Sequence, residues 1–270
     1  MSTSSTDFAR SIRKHALEMV HGARASHIGG VLSMADILAV LYTTVLRVRP
    51  EDPLWDGRDR FVLSKGHCCT GVYAALALRG FFPIEELSTY GGNGSRLMAH
   101  ISHKVPGVEF STGSLGHGLP FGCGRALALK RKGRSERVFV MLSDGELDEG
   151  SNWEAILFAP QHRLDNLVVI VDYNKVQSLG NVSDILELNP LADKFAAFRW
   201  VTREVDGHSH EAVLDALNSL PWESGKPSCL IAHTIKGKGV SYMENELLWH
   251  YRNPNEHQLS DALAELGANS

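Results

Sequence analysis

Residues 138–142 and 167–171 read VFVML and LVVIV. The second is an uninterrupted β-rich run, the pattern of a central parallel strand buried on both faces. A helical pattern over 151–163 lies between them. Strand, helix and strand in that order predict a right-handed crossover, which sets both strands parallel in one sheet. Each strand ends in polar residues: Asp144 and Gly145 after the first, Asn174 after the second, thirty positions later. Both would face one crevice at the carboxyl edge of the sheet, where ligands of such folds bind.

The rest of the chain repeats the alternation. Phe8, Ile12, Ala16 and Val20, with Leu17 beside them, predict an amphipathic helix over 5–25. A second helix is expected over 34–46, with Ser33 as N-cap and Asp36 at the capping-box position. ASHIGG between them reads as a Gly-bearing turn. Strands are expected at 61–63, 201–205 and 229–232, and helices at 74–78, 119–131 and 210–220. The fold class is α/β: one doubly wound, mainly parallel sheet with helices on both faces, a single domain over 1–270. Residues 80–118 and 174–198 carry little regular pattern and many Gly, His and Asn, as functional loops do. The segment from 253 reads as a polar tail.

Composition narrows the function. The 270 residues are 43% hydrophobic, enough for a large core, and the net charge is −4. The nearest thing to a basic stripe, 130–137, is short and interrupted; it reads as a solvated helix end and loop, so no nucleic-acid partner is expected. The apolar run 167–171 is far below a bilayer span, and the N-terminus lacks the apolar core of a secretory signal. No membrane partner is expected. Cys68, Cys69, Cys123 and Cys229 form neither a disulfide framework nor a zinc pattern. A cytoplasmic protein is the expectation.

Three groups of residues carry chemistry. Asp144, Asn174 and a nearby backbone carbonyl make an incomplete octahedron of hard oxygens, which suits Mg2+ completed by phosphates and water. Gly145 would let a phosphate approach the backbone. Each residue alone is an ordinary turn former. Their joint placement, followed by the acidic run Glu146, Asp148 and Glu149, favours a ligand site. Of thirteen histidines, His27, His67, His100 and His250 stand in Gly-bearing or irregular segments or at a strand end, where neutral imidazoles could bind a diphosphate or sugar and move protons. The Gly-rich stretch 106–124 matches neither a Walker A loop nor a dinucleotide fingerprint. It reads as tight helix packing at Gly122 and Gly124, and as backbone contact at 113–115.

Taken in order, DRFVLSKGH, PGVEFSTGSLGHG, SDGELDEGSNWEA, LDNLVVIVDYNKVQ, HTIKGKGVSYMEN and WH resemble the N-terminal, diphosphate-binding half of a transketolase, over nearly the whole chain. The resemblance implies thiamine diphosphate held through Mg2+, or another divalent cation such as Ca2+ or Mn2+. Asp144, Asn174 and the Val176 carbonyl would be the metal ligands. Gly145 and Asn174 would touch the diphosphate; Gly113, Ser114 and Leu115 the thiamine; His67 and His250 the cofactor and substrate. His27 and His100 would face the sugar, with His103 a possible substitute for His100. Glu149 and Glu154 join the catalytic set as residues that meet their counterparts across the family's dimer interface; carboxylates in a helix's first turn are favoured in any case. Ser143, His117 and Tyr251 replace the Gly, Gln and Gly usual at their positions, which are expected to face substrate. The implied reaction moves a two-carbon ketol unit from a ketose to an aldose, free or phosphorylated. The family's pyrimidine-binding domain is absent from the sequence. A C-terminal partner subunit would supply it, with self-association to α2β2. The alternatives are a non-catalytic cofactor-binding or assembly module, and a transketolase-like enzyme acting on an unusual sugar.

Overall fold

The computed structural model describes residues 4–268. In chain order its elements are α1 (Ser5–Gly22), α2 (Ile28–Val40), β1 (Arg60–Leu63), α3 (Cys69–Leu78), α4 (Gly118–Arg131), β2 (Val138–Ser143), α5 (Gly150–Gln161), β3 (Leu167–Tyr173), α6 (Val182–Ile185), α7 (Leu191–Ala197), β4 (Val201–Asp206), α8 (His210–Asn218), β5 (Ser228–His233) and α9 (Glu256–Ala268). The five strands are all parallel, in the order β1-β2-β3-β5-β4. β2 and β3 pair from Val138 opposite Leu167 to Ser143 opposite Asp172. The expected crossover is therefore present, and its two polar strand ends lie side by side.

Alternate residues build two cores. Val138, Val140 and Leu142 of β2 and Leu167, Val169 and Val171 of β3 face Leu119, Ile156 and Phe195 of α4, α5 and α7. Phe139, Met141, Val168 and Ile170 face the core that α1, α2, α3 and α8 close. Every residue of β3 is buried, and each large apolar side chain so placed contributes about 1.5–3 kcal/mol. α1 follows its periodicity: Phe8, Ile12, Ala16, Leu17 and Val20 are buried, and the Ser4 hydroxyl caps it by accepting from the Asp7 N–H at 3.1 Å.

Several expectations are corrected. The second helix begins at Ile28, not 34, so IGG belongs to its first turn rather than to a loop. The glycines are there for close packing. A Cβ on Gly30 would come within 2.9 Å of the Cys68 sulfur, and one on Gly29 within 3.1 Å of the Lys236 stem. Ser33 is not a cap: its hydroxyl bonds the Gly30 carbonyl and the Asp172 carboxylate inside the protein. Nor does Asp36 cap anything; it is paired with Arg13. A π-helical turn at Leu41–Val45 extends α2. The stretch Ile28–Val45 has a mean hydropathy of 1.7, long and apolar enough to cross a membrane by length and composition, yet 89% of it is buried inside the protein. It is a core helix, apolar all round because it is covered all round. The 174–198 segment holds α6 and α7. The supposed polar tail holds α9, whose Ala262 and Leu266 enter the same core as α1.

Candidate active site

The carboxyl ends of β1, β2, β3 and β5 open onto a cavity of about 250 Å3. His27, His67, His100, Gly113, Leu115, Asp144, Gly145, Asn174, Val176 and His250, from segments far apart in sequence, all line it. Ser114, Glu149 and Glu154 do not; all three are exposed. His103 lies outside as well, bonded to Ser111, so His100 is the histidine this fold delivers. A larger groove of about 1080 Å3 runs between α1 and residues 84–96. Its carboxylates lie at the surface, and the convergence of ionisable groups is in the smaller cavity.

Asp144 is 1% exposed. Its Oδ1 accepts from the Gly145 N–H at 2.8 Å and its Oδ2 from the Lys175 N–H at 2.5 Å. Burial and the neighbouring Asp172 push its pKa up to about 6 against those two donors. Ionising such a carboxylate favours a cation beside it. The Asn174 Oδ1 accepts from the Val176 N–H at 3.1 Å and keeps a lone pair. The Val176 carbonyl accepts from the Lys236 ammonium at 2.7 Å. Among the described residues no three His, Cys, Asp or Glu side chains group as a metal site. The set here is one carboxylate, one amide oxygen and one main-chain carbonyl, all hard donors of the kind Mg2+ takes when phosphates and water complete its shell. Gly145 is required by packing, since a Cβ would come within 2.7 Å of the Gln177 Cβ.

Two lysines stand in the walls, and sequence reasoning gave neither a role. Lys65 is 1% exposed and pairs with the buried Asp172, which also accepts from Ser33 and Thr234. Lys236 is 2% exposed, and among the described residues it has no carboxylate within ion-pair distance. Burial lowers its pKa. A buried ammonium without a counter-ion, facing a cavity, fits an anion such as a diphosphate. Both lysines sit inside quoted motifs, SKGH and HTIKGKG, but a lysine's burial is not written in its neighbours.

The four histidines meet. Ring centroids lie 5.0 Å apart for His27 and His67, 5.0 Å for His27 and His250, 5.7 Å for His67 and His250, and 6.2 Å for His27 and His100. His27 takes the left-handed conformation, φ 74°, and its N–H donates to the His250 carbonyl at 3.1 Å. Burial, then His100 and Lys236, lower the His27 pKa to about 4. Burial, then Lys236 and its neighbours, lower His250 to about 3; burial and Lys65 hold His67 well below the usual range. These three imidazoles are neutral at pH 7. A histidine harder to protonate in the folded state than in the unfolded one costs stability as acid is added. Their contribution is intact above pH 6.5 and is lost as pH falls from there towards 4 and 3. The thermal midpoint of the cofactor-free chain is expected to drop across that window. His27→Asn, which tolerates positive φ, should flatten the slope; equal slopes in both proteins would exclude His27 from this proton uptake.

The acidic run divides. Glu146 is fully buried and turned away from the cavity, where it accepts from the Ser64 hydroxyl at 2.5 Å and the Gly116 N–H at 2.9 Å. Burial raises its pKa against those donors. It pins the Gly-rich loop to the end of β1. Asp148 accepts from Gln177 at 3.2 Å, and Glu149 is solvated. None of the three lines the cavity. In the Gly-rich loop, Gly122 packs as expected, with a Cβ reaching 2.5 Å from Val140, whereas Gly124 has open space around it. Of the three departures, only Ser143 lines the cavity. His117 is exposed and bonded to the Leu115 carbonyl, and Tyr251 is 55% exposed.

The profile of the family described as transketolase, thiamine diphosphate binding domain, matches residues 4–270. The chain belongs to the transketolase family. An apulose-4-phosphate transketolase subunit from Phocaeicola vulgatus is 42% identical over 254 residues, 94% of this chain and 90% of that one. A 6-deoxy-6-sulfo-D-fructose transketolase subunit from a Clostridium species is 41% identical over 96% of this chain and 94% of its own length. Among solved structures, the transketolase of Leishmania mexicana superposes with a TM-score of 0.91 at 30% identity, over 99% of this chain and 42% of that one. The Campylobacter jejuni transketolase gives 0.92 at 30% identity, over 97% and 42%. The chain thus spans about two fifths of these transketolases and nearly the full length of the subunit relatives.

Proposed function

We propose that this chain is the N-terminal, diphosphate-binding subunit of a two-polypeptide transketolase that uses thiamine diphosphate and Mg2+. The observation that carries this reading is the meeting of Asp144, Asn174 and the Val176 carbonyl with four histidines in one cavity. Asp144, Asn174 and Val176 would hold the metal. Lys236 would supply counter-charge to the diphosphate, beside Gly145. Gly113 and Leu115 would line the thiamine end, with Ser114 between them. The bound cofactor would supply an electron sink for breaking and making the bond next to a ketose carbonyl. The neutral imidazoles of His27, His67 and His250 can give a hydrogen bond to a sugar hydroxyl or take its proton. His100 would complete that surface.

A cavity of about 250 Å3 falls below the roughly 300–1,000 Å3 that encloses a small ligand. A second surface is needed, and a C-terminal subunit with a pyrimidine-binding domain supplies it in this reading. Two relatives of matching length are themselves named as subunits, which supports the split. Their named sugars support an unusual ketose, or its phosphate, as donor. Glu149 and Glu154 at the start of α5, near the exposed Leu157 and Phe158, fit self-association to a tetramer with two copies of each subunit. Four buried free thiols suit a reducing cytoplasm, and residues 1–270 act as one domain. Mixing the chain with its partner subunit, thiamine diphosphate and Mg2+ is expected to give ketol transfer that neither subunit shows alone. Robust turnover by the pure chain, or none from the mixture, sinks the reading.

A further inference from the structure

Tyr251 directly follows His250. Its phenol O–H donates to the Ser178 carbonyl, and its ring lies edge-on to His250, with centroids 5.1 Å apart. His250 and Ser178 both line the cavity; Tyr251 itself does not. The bond therefore joins the end of the short helical turn Leu247–His250 to the 174–181 loop, which begins at Asn174 and carries Val176.

The base of that loop is held by the bonds from Lys175 to Asp144 and from Lys236 to the Val176 carbonyl and by the bridge between Val176 and Asn181, whereas its tip at Ser178 and Leu179 has little else. Lys175 sits at φ 69°, uncommon for a residue with a Cβ. Leu179 is 71% exposed. The Gln177 N–H donates to the Gly180 carbonyl at 2.9 Å, within the loop itself. The Gln177 amide reaches Asp148 at 3.2 Å. Among the described residues, no hydrogen bond other than that of Tyr251 reaches Ser178.

We propose that Tyr251 is a positioning residue: through Ser178 it fastens the loop bearing Asn174 and Val176 against the His250 wall, and so retains the metal and diphosphate. The inference rests on the cofactor reading above. Tyr251→Phe keeps the ring on His250 and removes only the hydroxyl. In the two-subunit complex, the Kd for thiamine diphosphate with Mg2+, read by calorimetry, is expected to rise about 3- to 10-fold, the worth of one hydrogen bond. Release of labelled cofactor into excess unlabelled cofactor should quicken by a similar factor. The KM for cofactor should rise more than kcat falls. The thermal midpoint of the cofactor-free chain should move by less than about 2 °C, since the side chain is more than half exposed. Unchanged Kd and release rate in Tyr251→Phe, with tight binding by the unaltered complex, overturns the positioning role and leaves the cofactor reading standing. An unaltered complex that does not bind thiamine diphosphate at all overturns both.

Discussion

Asp144→Ala is expected to abolish Mg2+-dependent binding of thiamine diphosphate, with an affinity loss beyond about 100-fold. Changing a residue that merely orients a metal ligand costs about 10–100-fold, and Asp144 is proposed as a ligand itself. It is also the one charged member of its set, because Asn174 and the Val176 carbonyl are neutral oxygens. The sharper variant is Asp144→Asn, which separates binding from folding. The Asp144 pKa is raised to about 6 from an ordinary 3.8. In the cofactor-free chain its ionisation therefore costs stability, a cost that sets in as pH rises from 3.8 through 6. The amide removes that cost at pH 7.5. It keeps an oxygen for the Gly145 N–H and forfeits the bond from Lys175. The two effects oppose each other, so the thermal midpoint is expected to stay within about 3 °C while metal-dependent binding disappears. Binding retained with a lowered midpoint would assign Asp144 to structure alone.

The sheet was legible in the sequence because burial on both faces writes itself locally. LVVIV can be little else than a central strand, and the polar residues after it and after VFVML had to share an edge. What was not legible depends on distant contacts. Glu146 and Glu149 stand three positions apart in one acidic run; one is sealed under the Gly-rich loop and the other is solvated. Nothing in the run distinguishes them, since the difference is made by Ser64 and Gly116. IGG reads as a turn by composition, yet Cys68 and Lys236 press on it so closely that a helix there needs glycine. The buried lysines were hidden for the same reason. α9 is a different case. Leu259, Ala262 and Leu266 recur at helical spacing and pack on the α1 core; that periodicity was present and was masked by the polar residues around it. The four histidines could be picked out by context, but only the fold brings three of them, from separated segments, within 6.2 Å of the His27 ring.

Asp172→Ala should unfold the chain far more easily than any surface change. Asp172 and Lys65 are 0% and 1% exposed. Burial opposes the charge on each, and their attraction overrides it: the Lys65 pKa is raised and that of Asp172 lowered. A lowered carboxylate contributes above its ordinary pKa of 3.8, and a raised ammonium contributes below 10.5, so the pair stabilises the fold throughout the neutral range. Removing one partner of a buried pair strands the other, at about 3–5 kcal/mol. In a chain of this length that is a fall of about 6–20 °C in thermal midpoint. The two single variants should differ. Asp172→Ala leaves the Lys65 ammonium with the Gly30 carbonyl at 3.0 Å as its remaining partner. Lys65→Met leaves Asp172 with two hydroxyl donors, Ser33 and Thr234, so its loss should be smaller. The double variant Lys65→Met/Asp172→Ala carries no stranded charge and should recover part of the stability lost in Asp172→Ala. Urea unfolding of the four proteins reads the coupling directly. Strictly additive losses would mean that the two charges do not stabilise one another, and that the floor of the cavity is held by its hydroxyl and carbonyl bonds instead.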